Sequence, residues 1–213
     1  MLLDRKKVKF WQRIVFGAMA FLMAAFLVVG YSGALSSCQR SGGMLSPTKD
    51  LDEEIAALEQ QLQADPTDAV AWGELGDALI SRGSSQQEAS AQQEDWRRAV
   101  IAYERKVSLL EGEEGADAKR ERRATLERLA GVYEVQLQDY EMALSVYGQL
   151  TSLAPKNAQY FFDMGSIAIS AGDTGRALLA FSRYLQLEPD SPDAEFVKAW
   201  IAANSPDSQG SPQ

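Results

Sequence analysis

Residues 158–191 read AQYFFDMGSIAISAGDTGRALLAFSRYLQLEPDS, and this stretch decides the fold. Its apolar residues return at helical intervals. Phe161, Met164 and Ala168 fall three and four residues apart, as do Ala177, Phe181 and Tyr184. Gly172-Asp173 interrupts the pattern, and Pro189 ends the second run. The spacing predicts two antiparallel helices joined by a short turn. Gly165 and Ala177 are small where the paired helices must approach closely, and Phe181 is expected to fill the gap toward the next pair.

The same plan recurs upstream. Leu126, Leu129-Ala130 and Tyr133 form a first run, Asp139-Tyr140 follows, and Ala143, Tyr147, Leu150 and Pro155 complete a second. This unit has one extra residue in its turn, near positions 136–138. An earlier unit has Trp72, Leu75-Gly76 and Leu79, then Ala99 and Tyr103. Here roughly eleven extra residues fall within 83–95 (GSSQQEASAQQED). They read as a loop, as a polar extension of the helices, or as an inserted partner-binding element. Residues 111–116 (EGEEGA) close this unit in place of a proline.

Two further helices flank the array. Leu51, Ile55, Leu58 and Leu62 make an amphipathic helix that opens after Ser46-Pro47 and ends at Asp65-Pro66. Ser191-Pro192 opens a last helix whose Phe196, Val197, Trp200 and Ile201 give one apolar face. Ala158 and its next equivalent, Pro192, are 34 positions apart. The whole pattern resembles the tetratricopeptide repeat, a helix–turn–helix of about 34 residues, over about 155 residues of the chain. The expected fold class is all-α: an N-terminal transmembrane helix, then a tetratricopeptide-like solenoid of about three helix pairs with capping helices over 48–203. Residues 204–213 are expected to be a disordered tail.

The N-terminus is different in kind. Residues 14–31 (IVFGAMAFLMAAFLVVGY) carry no charge. At ~1.5 Å per residue they span roughly 27 Å of helix, close to the hydrocarbon thickness of a bilayer. A transmembrane helix is assigned to 14–35. The basic segment 1–13, with Arg5, Lys6, Lys7, Lys9 and Arg13, is expected to stay in the cytoplasm, placing the helical domain outside it. Residues 36–47 are a Ser/Gly-rich linker. Two alternatives stand. Ser32 and Ala34 fit a signal-peptide cleavage site. Leu35-Ser36-Ser37-Cys38 resembles a bacterial lipobox, which implies lipidation at Cys38.

Composition narrows the chemistry. Beyond residue 40 the chain holds 29 of its 30 acidic and 15 of its 21 basic residues, a net charge of −14. That charge repels phosphate backbones, so no nucleic-acid partner is expected. With one Cys and no His, neither an internal disulfide nor a Cys/His metal site can form. There is no phosphate loop and no nucleophile elbow. Glu113-Glu114 sits in a Gly-flanked linker, and the charged run 119–128 reads as a solvated face. No enzyme activity, catalytic residue, cofactor or metal is assigned.

The resemblance implies a right-handed superhelix whose concave face, lined by the first helix of each pair, receives a peptide or helix. Carried onto this chain, the groove positions are Asp77 and Ile80; Glu127, Gly131 and Glu134; and Gln159, Phe162, Asp163, Ser166 and Ile169. The alternative for each is a solvated helix face. Only one of Phe161 and Phe162 can point into the core at that step, so Phe162 is the expected aromatic anchor. Relatives that clamp a ligand carboxylate use Lys, Arg and Asn in the groove. Gly73 and Asp77 stand where two of these would fall, so a ligand with basic or apolar groups fits better. The expected function is a membrane-anchored, extracytoplasmic scaffold or adaptor for a protein or peptide partner. Ala71-Trp72-Gly73-Glu74-Leu75-Gly76-Asp77 resembles repeat modules of bacterial cytochrome c maturation, which implies apocytochrome presentation as one alternative. An envelope assembly or chaperone factor and a self-associating homo-oligomer are others.

Overall fold

The computed structural model describes residues 47–205. The basic segment, the transmembrane helix, Cys38 and nearly all of the linker and tail lie outside the described residues. Among the described residues there are eight α-helices and no strand. They are α1 (Pro47–Ala64), α2 (Ala69–Ser85), α3 (Ala89–Leu110), α4 (Ala116–Gly131), α5 (Tyr140–Leu153), α6 (Ala158–Ser170), α7 (Thr174–Leu187) and α8 (Ala194–Asn204). Three pairs, α2/α3, α4/α5 and α6/α7, are flanked by single helices α1 and α8. Each helix packs on its neighbours in the chain, as the repeat pattern requires. None of these helices is long and apolar enough to cross a membrane.

The helix starts follow from short polar side chains at the caps. Asp68 accepts from Val70 N and Ala71 N, Asp139 from Met142 N, Asn157 from Gln159 N and Asp173 from Arg176 N. Pro47 is the first residue of α1, where its missing N–H costs nothing. Ile55, Leu58 and Leu62 of α1 are buried against the first pair. At the other end Val197 is fully buried, and the Trp200 ring meets Phe181 edge-on at 5.2 Å.

The close approach within pairs is present where the small residues predicted it. A Cβ on Gly165 would stand 2.5 Å from Phe181 Cε1, and one on Gly76 would stand 2.5 Å from Tyr103 Cε1. Ala130 takes the equivalent place in the second pair and is fully buried. Gly73 is small for another reason: Lys106 Nζ would lie 2.7 Å from its Cβ. The buried Lys106 stem crosses α2 here, and its ammonium reaches Glu121 of α4 at 2.8 Å.

The extra residue of the second unit is absorbed by a π-turn. After α4, residues Val132–Gln136 wind as a π-helix, and Leu137 N donates to Val132 O at 3.0 Å. Asp139 N then reaches back to Tyr133 O at 2.7 Å. In the third pair the corresponding bond, from Asp173 N to Ala168 O at 2.8 Å, spans one residue fewer. Both turns need a left-handed residue. Gly172 supplies it at φ 75°, Gln138 at φ 53°.

The insertion within 83–95 is an extension of the helices. α2 and α3 have 17 and 22 residues against 13 and 14 in the third pair, leaving only residues 86–88 as a connection. Arg82 ties the base of this longer hairpin. Its Nε and Nη2 donate to the buried Asp95 at 2.9 and 2.5 Å, and its Nη1 donates to Asp52 of α1 at 2.8 Å. These bonds keep the Arg82 guanidinium firmly protonated. Trp96 closes over Gly83, whose Cβ would stand 2.7 Å from the indole nitrogen.

Candidate partner-binding groove

The first helices of the pairs, α2, α4 and α6, carry nine of the ten residues expected to line the groove, and Glu134 lies in the π-turn that follows α4. Asp77 of α2 accepts from Tyr103 OH at 2.6 Å and from Arg128 Nη1 of α4 at 2.7 Å. It therefore joins the first and second pairs. Ile80 is half-buried against the core. Glu127 of α4 accepts a hydrogen bond from Tyr160 OH of α6. A Cβ added to Gly131 would meet nothing within 4 Å, so the surface is open there.

Glu134, Asp163, Tyr147 and Tyr160 lie close together with Glu127. Asp163 accepts from Gln159 Nε2 at 2.7 Å. Burial pushes the Asp163 carboxyl above its ordinary range. Burial also raises Glu134, and the like charge of Asp163 adds to it. The Tyr147 ring meets Tyr160 edge-on at 6.5 Å. Burial, then the charges of Asp163, Glu134 and Glu127, raise the Tyr147 hydroxyl. Burial and the bond to Glu127 push Tyr160 up to about 12, with Arg123 acting the other way.

The remaining expected positions behave differently. Phe162 is half-buried, its ring 5.9 Å from Phe181 and 5.2 Å from Tyr184. Phe161 is half-buried too, with the Arg183 guanidinium 5.8 Å above its ring. The two rings thus share the core edge, and Phe162 offers only part of its surface to a ligand. Ser166 Oγ donates to Phe162 O at 3.0 Å, an ordinary bond within the helix. Ile169 is exposed at the end of α6. Sequence reasoning did not place Tyr160 or Arg128 at the groove. The signal was present for Tyr160, an aromatic one turn before Met164 on the same helix, but its partner is 33 residues away.

Trp72 Nε1 donates to Pro66 O at 3.0 Å, and Leu75 and Gly76 are buried. The stretch Ala71 to Asp77 therefore packs the first pair. Among the described residues no group of His, Cys, Asp and Glu side chains could hold a metal ion.

The tetratricopeptide-repeat family model matches residues 129–202, from the end of α4 through α8. Over these residues the chain carries the tetratricopeptide repeat. Repeats of this kind are protein-interaction scaffolds, and the match takes in the third pair, α5 and the capping helix α8. Solved structures similar to this chain include the MamA RS-1 ArsTM double mutant, at 16% identity and TM-score 0.49, covering 75% of this chain and 78% of that one. A crystal structure of MamA has 15% identity and TM-score 0.48, covering 76% and 84%. A tetratricopeptide repeat protein from Parabacteroides merdae ATCC 43184 has 21% identity and TM-score 0.44, covering 73% and 54%. Among curated proteins, none matches.

The raised carboxyls of the second and third repeats have a measurable cost. A carboxyl that holds its proton more tightly when folded favours the unfolded chain once pH passes the ordinary carboxylate range. Replacing Asp163 by Asn removes that penalty. Asp163→Asn is expected to melt higher than the parent at pH 7, with the gap closing toward pH 3, where both carry an uncharged group. Thermal melts at the two pH values check this. A variant that melts lower at pH 7 contradicts it.

Proposed function

We propose that this tetratricopeptide-repeat chain is a membrane-tethered scaffold that holds a protein or peptide segment bearing basic and apolar groups. Its mechanism is recognition without chemistry. The observation that carries the reading is the patch formed by Glu127, Glu134 and Asp163 beside the Tyr147–Tyr160 ring pair. Asp163 and Glu134 are half-buried, and neither forms an ion pair with a described residue. A lysine or arginine arriving there meets carboxylates and aromatic faces together. Ile80 and Ile169, on the first and third repeats, supply apolar contact.

The tether is the uncharged run 14–31, preceded by five basic residues, which favours a cytoplasmic N-terminus and an extracytoplasmic repeat domain. A lipid on Cys38 is the alternative anchor. Membrane fractionation with mass measurement of the mature N-terminus distinguishes them.

Crosslinking the full-length protein in membranes tests the groove. Charge reversal at two positions, Glu134→Lys with Asp163→Lys, is expected to reduce recovery of captured partners about tenfold or more. Neither residue is fully buried, so the variant should remain folded, which a melting curve verifies. Unchanged recovery from a folded variant overturns the reading.

A further inference from the structure

Helices α1, α2 and α3 enclose an open pocket of about 350 Å³, away from the groove residues. Leu62, Leu75 and Leu79 line it with the Trp72 indole, and Ile101, 60% exposed, forms one lip. The indole N–H already donates to Pro66 O, so it asks nothing of a ligand. At the mouth Glu59 and Arg98 are paired with each other. The pocket therefore has an apolar interior between one acid and one base, and its volume admits a single large side chain.

The last helix carries the matching shape. Phe196 of α8 is 55% exposed and stands beside Glu195 and Lys198, which pair at 2.9 Å. We propose that Phe196 of one molecule seats in the α1–α2–α3 pocket of a second copy. On docking, Lys198 can exchange its partner for Glu59, and Glu195 for Arg98, so that no charge is left buried alone. Donor and acceptor are different surfaces, on the last and the first helices of a stack in which each helix packs on its chain neighbours. Such a contact joins two different surfaces: two copies that each seat Phe196 in the other close as a pair, and a one-way contact runs on as a row. This association is separate from the binding of a foreign segment in the groove.

The test uses the full-length protein in detergent micelles, with Cys38→Ser removing the native thiol. Ile101→Cys combined with Ala199→Cys, which lies about one turn from Phe196 on the same helix and leaves that ring in place, is expected to give crosslinked dimers or longer species on mild oxidation. The two single-cysteine variants should each stay uncrosslinked alone and give dimers when mixed. Absence of crosslinks in both the double variant and the mixture overturns the proposal. So does efficient crosslinking of Ala199→Cys alone, which marks contact between two copies of α8. In the cysteine-free protein, Ile101→Asp is expected to weaken association about tenfold in sedimentation, with an unchanged melting temperature because the side chain is exposed. Equal association of parent and Ile101→Asp also overturns it.

Discussion

Gly165→Leu is expected to destabilise the repeat domain by about 3 kcal/mol, at the upper end of the cost of overpacking a core. For a domain of this size that is roughly a 6–12 °C fall in melting temperature. The first added carbon already collides. It would stand 2.5 Å from Cε1 and 2.6 Å from Cδ1 of Phe181, a ring that is fully buried and has nowhere to move. Trp200 presses on that ring from α8, and Phe162 from α6. The collision therefore propagates into the capping helix. Gly148→Ala is the contrasting control. Its Cβ would meet nothing within 4 Å in the middle of α5. It should gain about 0.5–1 kcal/mol from the alanine preference for helix. Equal melting temperatures for Gly165→Leu and the parent would refute the pairing of α6 with α7.

Arg82→Met should be as damaging for an electrostatic reason. Asp95 is 3% exposed and takes two bonds from this one guanidinium. Removing the arginine leaves a buried carboxylate with Arg98, 4.0 Å away, as its remaining ion-pair partner. Breaking a buried pair from one side costs about 3–5 kcal/mol. The loss of the bond to Asp52 on α1 falls within that range, since the aspartate is exposed. Adding Asp95→Leu to Arg82→Met is expected to recover most of the loss, because no charge then remains to be desolvated. Denaturant titrations of the two singles and the double measure the coupling. A double variant no better than Arg82→Met would show that the arginine acts through its packing.

These two sites also mark what the sequence disclosed. Gly165 and Phe181 were readable because helical periodicity is local: small and large residues recur at fixed steps within one turn–helix unit. The polar run ASAQQE within 83–95 was not decisive, because alanine, glutamine and glutamate serve a helix as well as an exposed loop. Once that run is helical, Arg82 and Asp95 face each other across a hairpin. The extra residue of the second repeat was visible by counting, but its absorption in a π-turn depends on Gln138 accepting a left-handed backbone. The expected groove residues were chosen as a set of helix positions. The meeting of Tyr147 with Tyr160, and of Tyr160 with Glu127, depends on how successive repeats stack, and no pattern within one repeat records it.

Because the helices pack chiefly on those beside them in the chain, with polar bonds such as Arg128 to Asp77 reaching one helix further, the domain lacks a keystone. Stress applied at one end should relax joint by joint, as in a spring, with no single catastrophic failure. The first three helices, cross-tied through Arg82 to Asp52 and Asp95, would be its best-braced coil.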